Sequence, residues 1–184
     1  WRDYYATLTN WPKPAAPGTP AADVLVALGR YDVDLKELRA AAAERPDCRF
    51  PLRYDEGPGM LLPTLAPLKR IALFLRLRSC ALLAENRSDE ALQDIQLATR
   101  LGDAVADEPI LISFLVRLAV DQIALQPVWE GCRDHRWSDA QLAALQTLFG
   151  RRDYLADTRR AIEGERVLSG ITYDMLARRD QRIL

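Results

Sequence analysis

Between Ile110 and Val120 the chain carries only two polar side chains, Ser113 and Arg117. So little polar surface predicts a helix buried on nearly all sides, the central element around which the rest packs. The run is shorter than the roughly 20 apolar residues that a membrane span needs, so no span is expected in this chain. Glu108-Pro109 reads as the start of the helix, with proline at a tolerated early position. Pro127 reads as the residue that kinks or ends it ahead of Trp129.

The flanking segments show the same periodicity. Leu61 to Glu85 places Leu65, Leu68, Ala72, Leu75, Leu82 and Leu83 on one broad face. Asn86 and Arg87 make a turn, and Ser88, followed by Asp89 and Glu90, is placed to cap the next helix with acid in its first turn. That helix runs to about Val105, with Ala91, Leu92, Ile95, Ala98, Leu101 and Ala104 at three-four spacing. Trp137-Ser138-Asp139 opens another helix through Phe149, and Tyr154 to Arg182 forms a last one interrupted at Gly164 and Gly170.

Upstream, residues 22–43 read as helix broken at Gly29, with Asp32 or Asp34 capping the second piece. Residues 45–60, rich in proline, glycine and charge, read as a loop with one short extended segment around Phe50 to Tyr54. Residues 1–21 carry Pro12, Pro14, Pro17, Gly18 and Pro20 and read as an arm. Asp3 to Leu8 suits a short helical turn, and Trp1, Tyr4, Tyr5 and Trp11 give the arm apolar surface to wrap onto its own domain or to anchor a partner. The expected organisation is therefore an arm over residues 1–21 and one helical domain over residues 22–184. No segment alternates as a strand would, which places the chain in the all-α class, with neighbouring helices packed as antiparallel hairpins.

The pair Ile71 to Asp103 resembles a tetratricopeptide repeat. Leu75, Ser79, Leu82, Ala91, Ile95 and Ala98 sit at the family's offsets, and the stretch Ala81 to Leu92 carries the match, which covers roughly one 34-residue unit. Ser79 stands where the family has glycine, Leu82 where it has tyrosine and Asp103 where it has proline. The resemblance implies an α-α superhelix or, with a single unit, an irregular helical bundle. Glu108 to Gln122, Trp137 to Gln146 and Ala161 to Arg166 also resemble bacterial all-helical proteins to which no activity is attached.

Chemistry is sparse. The 184 residues include one histidine, and 25 basic against 26 acidic side chains leave a net charge of -1. A general nucleic-acid binder needs a basic footprint, so that partner class is excluded. Cys132 and His135 lie close together, but nothing completes a metal or nucleophile set at recognisable spacing. Three cysteines, Cys48, Cys80 and Cys132, are too few for a disulfide framework, although one bridge stays open. Asp55-Glu56 and Glu163-x-Glu165 are the paired carboxylates. Glu163 suits a pair with Arg159, and Glu165 suits an inward pair with an arginine elsewhere. No phosphate-cradling loop occurs. No catalytic residue, metal or cofactor is assigned.

Arg117 and Asp121, four apart in the most apolar stretch, must be paired or hydrogen-bonded if buried, with each other or with adjoining helices. Arg76 and Arg78 project at different angles, so at least one reaches solvent or a concave surface. These four are the candidate binding residues. The expected function is a non-catalytic scaffold for a protein or peptide, with self-association an open outcome. The alternative is an enzyme or small-ligand binder with an Arg, Asp and Glu site between helices and residues 45–60 as a lid. The sequence starts at Trp1 rather than Met, so tethering to the cell envelope through an upstream segment is a further expectation.

Overall fold

The computed structural model describes residues 11–45 and 47–180. They form the helices α1 (Pro20–Leu28), α2 (Asp32–Glu44), α3 (Leu65–Ala84), α4 (Ser88–Asp103), α5 (Leu111–Arg133), α6 (Asp139–Gly150) and α7 (Tyr154–Asp180). Short 3-10 turns occupy Gly29–Tyr31 and Tyr54–Gly59, and there is no strand among the described residues. The all-α class is thereby established. The turn of helix expected over Asp3 to Leu8 lies outside the described residues.

The core forms where α3, α4 and α5 meet. Leu75, Leu82, Ala91 and Ile95 are sealed between α3 and α4, together with Ser79 and Ala98. The direction of packing follows from the contacts. Arg78 meets Asp94 while Ser79 meets Ala91, so α3 and α4 run antiparallel. Arg117 meets Asp103, and a Cβ on Gly102 would touch Val120, so α4 and α5 are antiparallel too. Leu111, Arg117 and Asp121 meet Glu165, Asp157 and Tyr154 in turn, which makes α5 and α7 antiparallel. Two reversals leave α3 and α5 parallel. Their C-termini end alike, with Asn86 and His135 in left-handed conformation (φ 59° and 51°) and the Arg136 guanidinium donating to the Asn86 side-chain oxygen Oδ1. Such residues close a helix by returning N–H groups to its last carbonyls, here Arg87 to Leu82 and Arg136 to Gly131, both at 2.8 Å.

Several local expectations are corrected. α3 begins at Leu65 rather than Leu61, because Pro63 restricts the residue before it and leaves Leu61 in solvent. Ser88 is the first helical residue of α4 rather than its cap, and its hydroxyl accepts from Gln141 at 3.1 Å. Asp32 and Asp34 lie in the first turn of α2, behind a Tyr31 that makes no side-chain cap. Residues 47–53 hold no strand, and the chain then turns through 3-10 geometry at Tyr54–Gly59. Pro20, assigned to the arm, opens α1 behind a Thr19 cap. Ser138 does cap α6, in a reciprocal pairing with Gln141.

α5 departs most. It starts at Leu111, beyond Pro109, and passes through buried Pro127 to Arg133, 23 residues in all. It is the one described helix long and apolar enough to cross a membrane by length and composition. Nor is it buried all round: Leu111, Ile112 and Leu115 are exposed at 38%, 46% and 47%. α7 is continuous through Gly164 and Gly170. Gly164 serves close approach instead, since a Cβ there would lie 1.8 Å from the Pro109 carbonyl oxygen.

Candidate functional site

The four residues selected from sequence do not converge. Arg76 is exposed on α3. Arg78, two positions on, turns inward and donates to Asp94 at 2.6 Å, and Arg39 of α2 donates to the other oxygen of the same carboxylate. Asp94 is fully buried, and burial pushes its carboxyl up against the downward pull of the two guanidiniums. Here a carboxylate within an apolar stripe clamps α2, α3 and α4 together.

Arg117 and Asp121 enter a second cluster without touching each other. Asp103, at the end of α4, accepts from Arg117 at 3.1 Å and from Arg152. Arg152 continues to Asp121 at 3.0 Å, and the Tyr154 hydroxyl donates to the other Asp121 oxygen at 3.1 Å. Arg117 also meets Asp157. Burial pushes Asp121 up despite Arg152 and the Tyr154 hydrogen bond. Burial works against the charge on Arg117, yet the carboxylates of Asp157 and Asp103 hold its proton more strongly than usual. The chain Arg117, Asp103, Arg152, Asp121 and Tyr154 thus ties α4, α5 and α7 internally. Arg39, Asp94, Asp103, Arg152, Tyr154 and Asp157 escaped the sequence reading. Asp94 alone left a trace, as an acid between Ala91 and Ala98 on an otherwise apolar stripe.

Beside this cluster lies an open cleft of about 1150 Å³ between residues 47–54, the segment 103–109 and α7. Arg160 spans it to the Ala106 carbonyl at 2.8 Å and to Asp107 at 3.3 Å. Glu108 accepts from Ser113, while its second oxygen is buried without a partner and burial pushes its carboxyl up. No arginine pairs with Glu165 among the described residues; it accepts the Leu111 N–H at 2.9 Å and so caps α5. Glu163 pairs with Arg159 at 2.9 Å, and Asp55 and Glu56 both reach Arg53. Cys132 and His135 are exposed at the end of α5, and no group of three metal-binding side chains converges among the described residues.

The outward face of α5 differs from all of these. Leu111, Ile112, Leu115, Leu125 and Trp129 stand exposed, with Gln122 and Gln126 between them. Between Leu111 and Trp129 the only charged residues of the helix are Arg117 and Asp121, and both point inward. The face therefore exposes no charge over five turns of helix. At its far end the Arg133 guanidinium lies 5.1 Å from the centre of the Trp129 ring. Cys80 of α3 borders one edge, and its thiol is pushed up to about 12, by burial first and by the neighbouring Glu130 carboxylate second.

No protein family, curated protein or solved structure matches the chain.

Proposed function

We propose that the chain is a non-catalytic helical scaffold that binds another polypeptide through the outward face of α5. The observation that carries this is the missing charge. A solvated helix face ordinarily bears Lys, Glu, Arg or Asp, whereas a face of exposed apolar side chains with only uncharged amides among them suits a contact surface. The sealed positions at the α3–α4 seam support a tetratricopeptide-like hairpin, in which small residues permit close approach. Arg76 lies on the exposed side of the parallel helix α3, suited to acidic groups of a partner. The network residues then serve rigidity: Arg117 and Asp121 hold α5 against α4 and α7, and Arg78 ties α3 to α4 behind it, so that the outer side of α5 is presented on a fixed frame.

A photo-crosslinking residue placed at Leu115 tests this in the cells that make the protein. Leu142 on α6, exposed at 40%, is the matched control. A polypeptide adduct at position 115 and none at 142 is the expected result. No adduct at 115, or equal adducts at both, overturns the proposal.

A further inference from the structure

The cleft between residues 47–54 and α7 holds an acid that the fold leaves half-satisfied. Oε2 of Glu108 accepts from Ser113, while Oε1 is buried with no partner. A buried acceptor without a donor has given up its hydrogen bond to water and gained none in return, so such an oxygen calls for a donor from elsewhere. The terminal torsion of a glutamate is broad, and a small turn presents this oxygen to the cleft that the residue lines. Tyr54 lines the same cleft, and its hydroxyl makes no hydrogen bond among the described residues. The two groups are near enough for the Glu108 charge to push the tyrosine up, second to burial and against Arg49.

The arginines of the cleft do not answer Glu108. Arg160 donates to the Ala106 carbonyl and pairs with Asp107, Arg100 donates to the Arg45 carbonyl at 2.8 Å, and Arg49 is exposed. Much of the remaining wall is apolar, made by Phe50, Leu52, Val167, Leu168 and Ile171, and Val167 is 65% exposed. At Gly164, α7 comes down on the Pro109 carbonyl, so backbone packed on backbone closes the cleft beside Glu108. The volume of about 1150 Å³ is a little above the roughly 300–1,000 Å³ of small-molecule sites, as an open mouth adds to it.

We propose that this cleft is a small-molecule site for a primary ammonium carried on an apolar body. Glu108 Oε1 and the Tyr54 hydroxyl oxygen accept its N–H groups, and the five apolar side chains cover the rest of the ligand. An ammonium suits this pair because it has donors only and stays charged at neutral pH. A carboxylate ligand meets Glu108 as a like charge, while Arg100 and Arg160 are already engaged. The lysine of a polypeptide offers the same head group, but its narrow four-carbon stem covers less of so broad an apolar wall. The site goes beyond the α5 contact and does not rest on it.

Methyl NMR of the purified chain, titrated with 2-phenylethylamine, tests the proposal. Shifts at the methyls of Leu52, Val167, Leu168 and Ile171 are expected. The neutral isostere 2-phenylethanol should bind at least about tenfold more weakly, because a charge-assisted hydrogen bond is lost. Glu108→Gln keeps the shape and an acceptor for Ser113, and should bring the amine down to the affinity of the alcohol. Tyr54→Phe should weaken the amine several-fold. Val167→Trp fills the apolar half without touching the acid and should abolish binding of both probes, so it decides the matter if Glu108→Gln does not fold by circular dichroism. No shift at these methyls with about 10 mM amine, where a fragment of even modest efficiency per atom is bound, overturns the proposal. Equal affinity for amine and alcohol overturns it as well, and so does a folded Glu108→Gln chain that binds the amine as the wild type does. Phenylacetate binding more tightly than the amine makes the cleft an anion site and refutes the assignment. Nα-acetyl-lysine amide separates the two sources of an ammonium: weaker binding than 2-phenylethylamine is expected, and tighter binding overturns the small-molecule reading in favour of a polypeptide lysine.

Discussion

Two sides of one helix reverse the usual placement of charge. The inward side of α5 carries Arg117 and Asp121, at 8% and 1% exposure, while the outward side shows leucine, isoleucine, glutamine and tryptophan. An amphipathic helix of an isolated domain does the opposite, because burying an ion costs several kcal/mol unless its partners are supplied. Here they are: Asp103, Arg152, Asp157 and Tyr154 meet the inward ions. The polar anchors of this helix face its own domain, and its exposed apolar residues face away from it. The two sides should therefore respond very differently to substitution.

Asp121→Ala is the severest test of the inward side. It strips Arg152 of one carboxylate and the Tyr154 hydroxyl of its acceptor inside the packed junction. Breaking a buried pair in this way costs about 3 to 5 kcal/mol, read as a fall in urea midpoint. Leu115→Gln on the outward side should change the stability of the single chain by less than about 0.5 kcal/mol, as for surface positions generally. Equal losses at the two positions would abolish the distinction between an anchored side and a presented one.

Gly164→Ala probes the same junction more mildly. The new Cβ meets the Pro109 carbonyl oxygen at 1.8 Å, a backbone atom that cannot swing away. α7 must then move off the segment that leads into α5. Overpacking of this kind costs about 1 to 3 kcal/mol. Because Glu165, next to the glycine, caps the Leu111 N–H, amide exchange at the start of α5 should quicken in the variant. Unaltered exchange there would show that α7 does not hold the helix in place.

The hairpin α3–α4 was legible in the chain to within a few residues, because leucine and alanine recur there at helical spacing and every such residue has one side to bury. α5 was not. An eleven-residue apolar run looks the same whether it is buried all round or half-presented to a partner, since periodicity reports contrast and both sides are apolar. Proline misled at each end: Pro109 lies outside the helix, whereas Pro127 is absorbed within it. Arg117 and Asp121 were recognisable as charges needing partners, but Asp103 and Asp157 lie 14 and 40 residues from Arg117 and only the fold brings them in. The tie between Glu165 and α5 was hidden for the same reason, its acceptor role set by a crossing between distant helices.

The smallest effect concerns chemistry alone and marks the border between the two sides. Cys80 sits at the edge of the outward face beside Glu130, with its thiol pushed up to about 12, whereas Cys48 and Cys132 are exposed. Only the thiolate attacks an alkylating agent, so near pH 8 a group titrating at 12 offers about one part in 10⁴ in reactive form. Iodoacetamide should label Cys48 and Cys132 first and reach Cys80 only as the chain unfolds. Glu130→Gln removes the carboxylate that disfavours the thiolate but leaves the burial, which is the larger cause, so labelling of Cys80 should quicken while still lagging behind Cys132. Peptide mass spectrometry over a labelling time course separates the three sites. Labelling of Cys80 as fast as Cys132 in the folded wild-type chain would mean that α3 does not close over this edge, and the outward face would then extend onto α3 rather than stop at it.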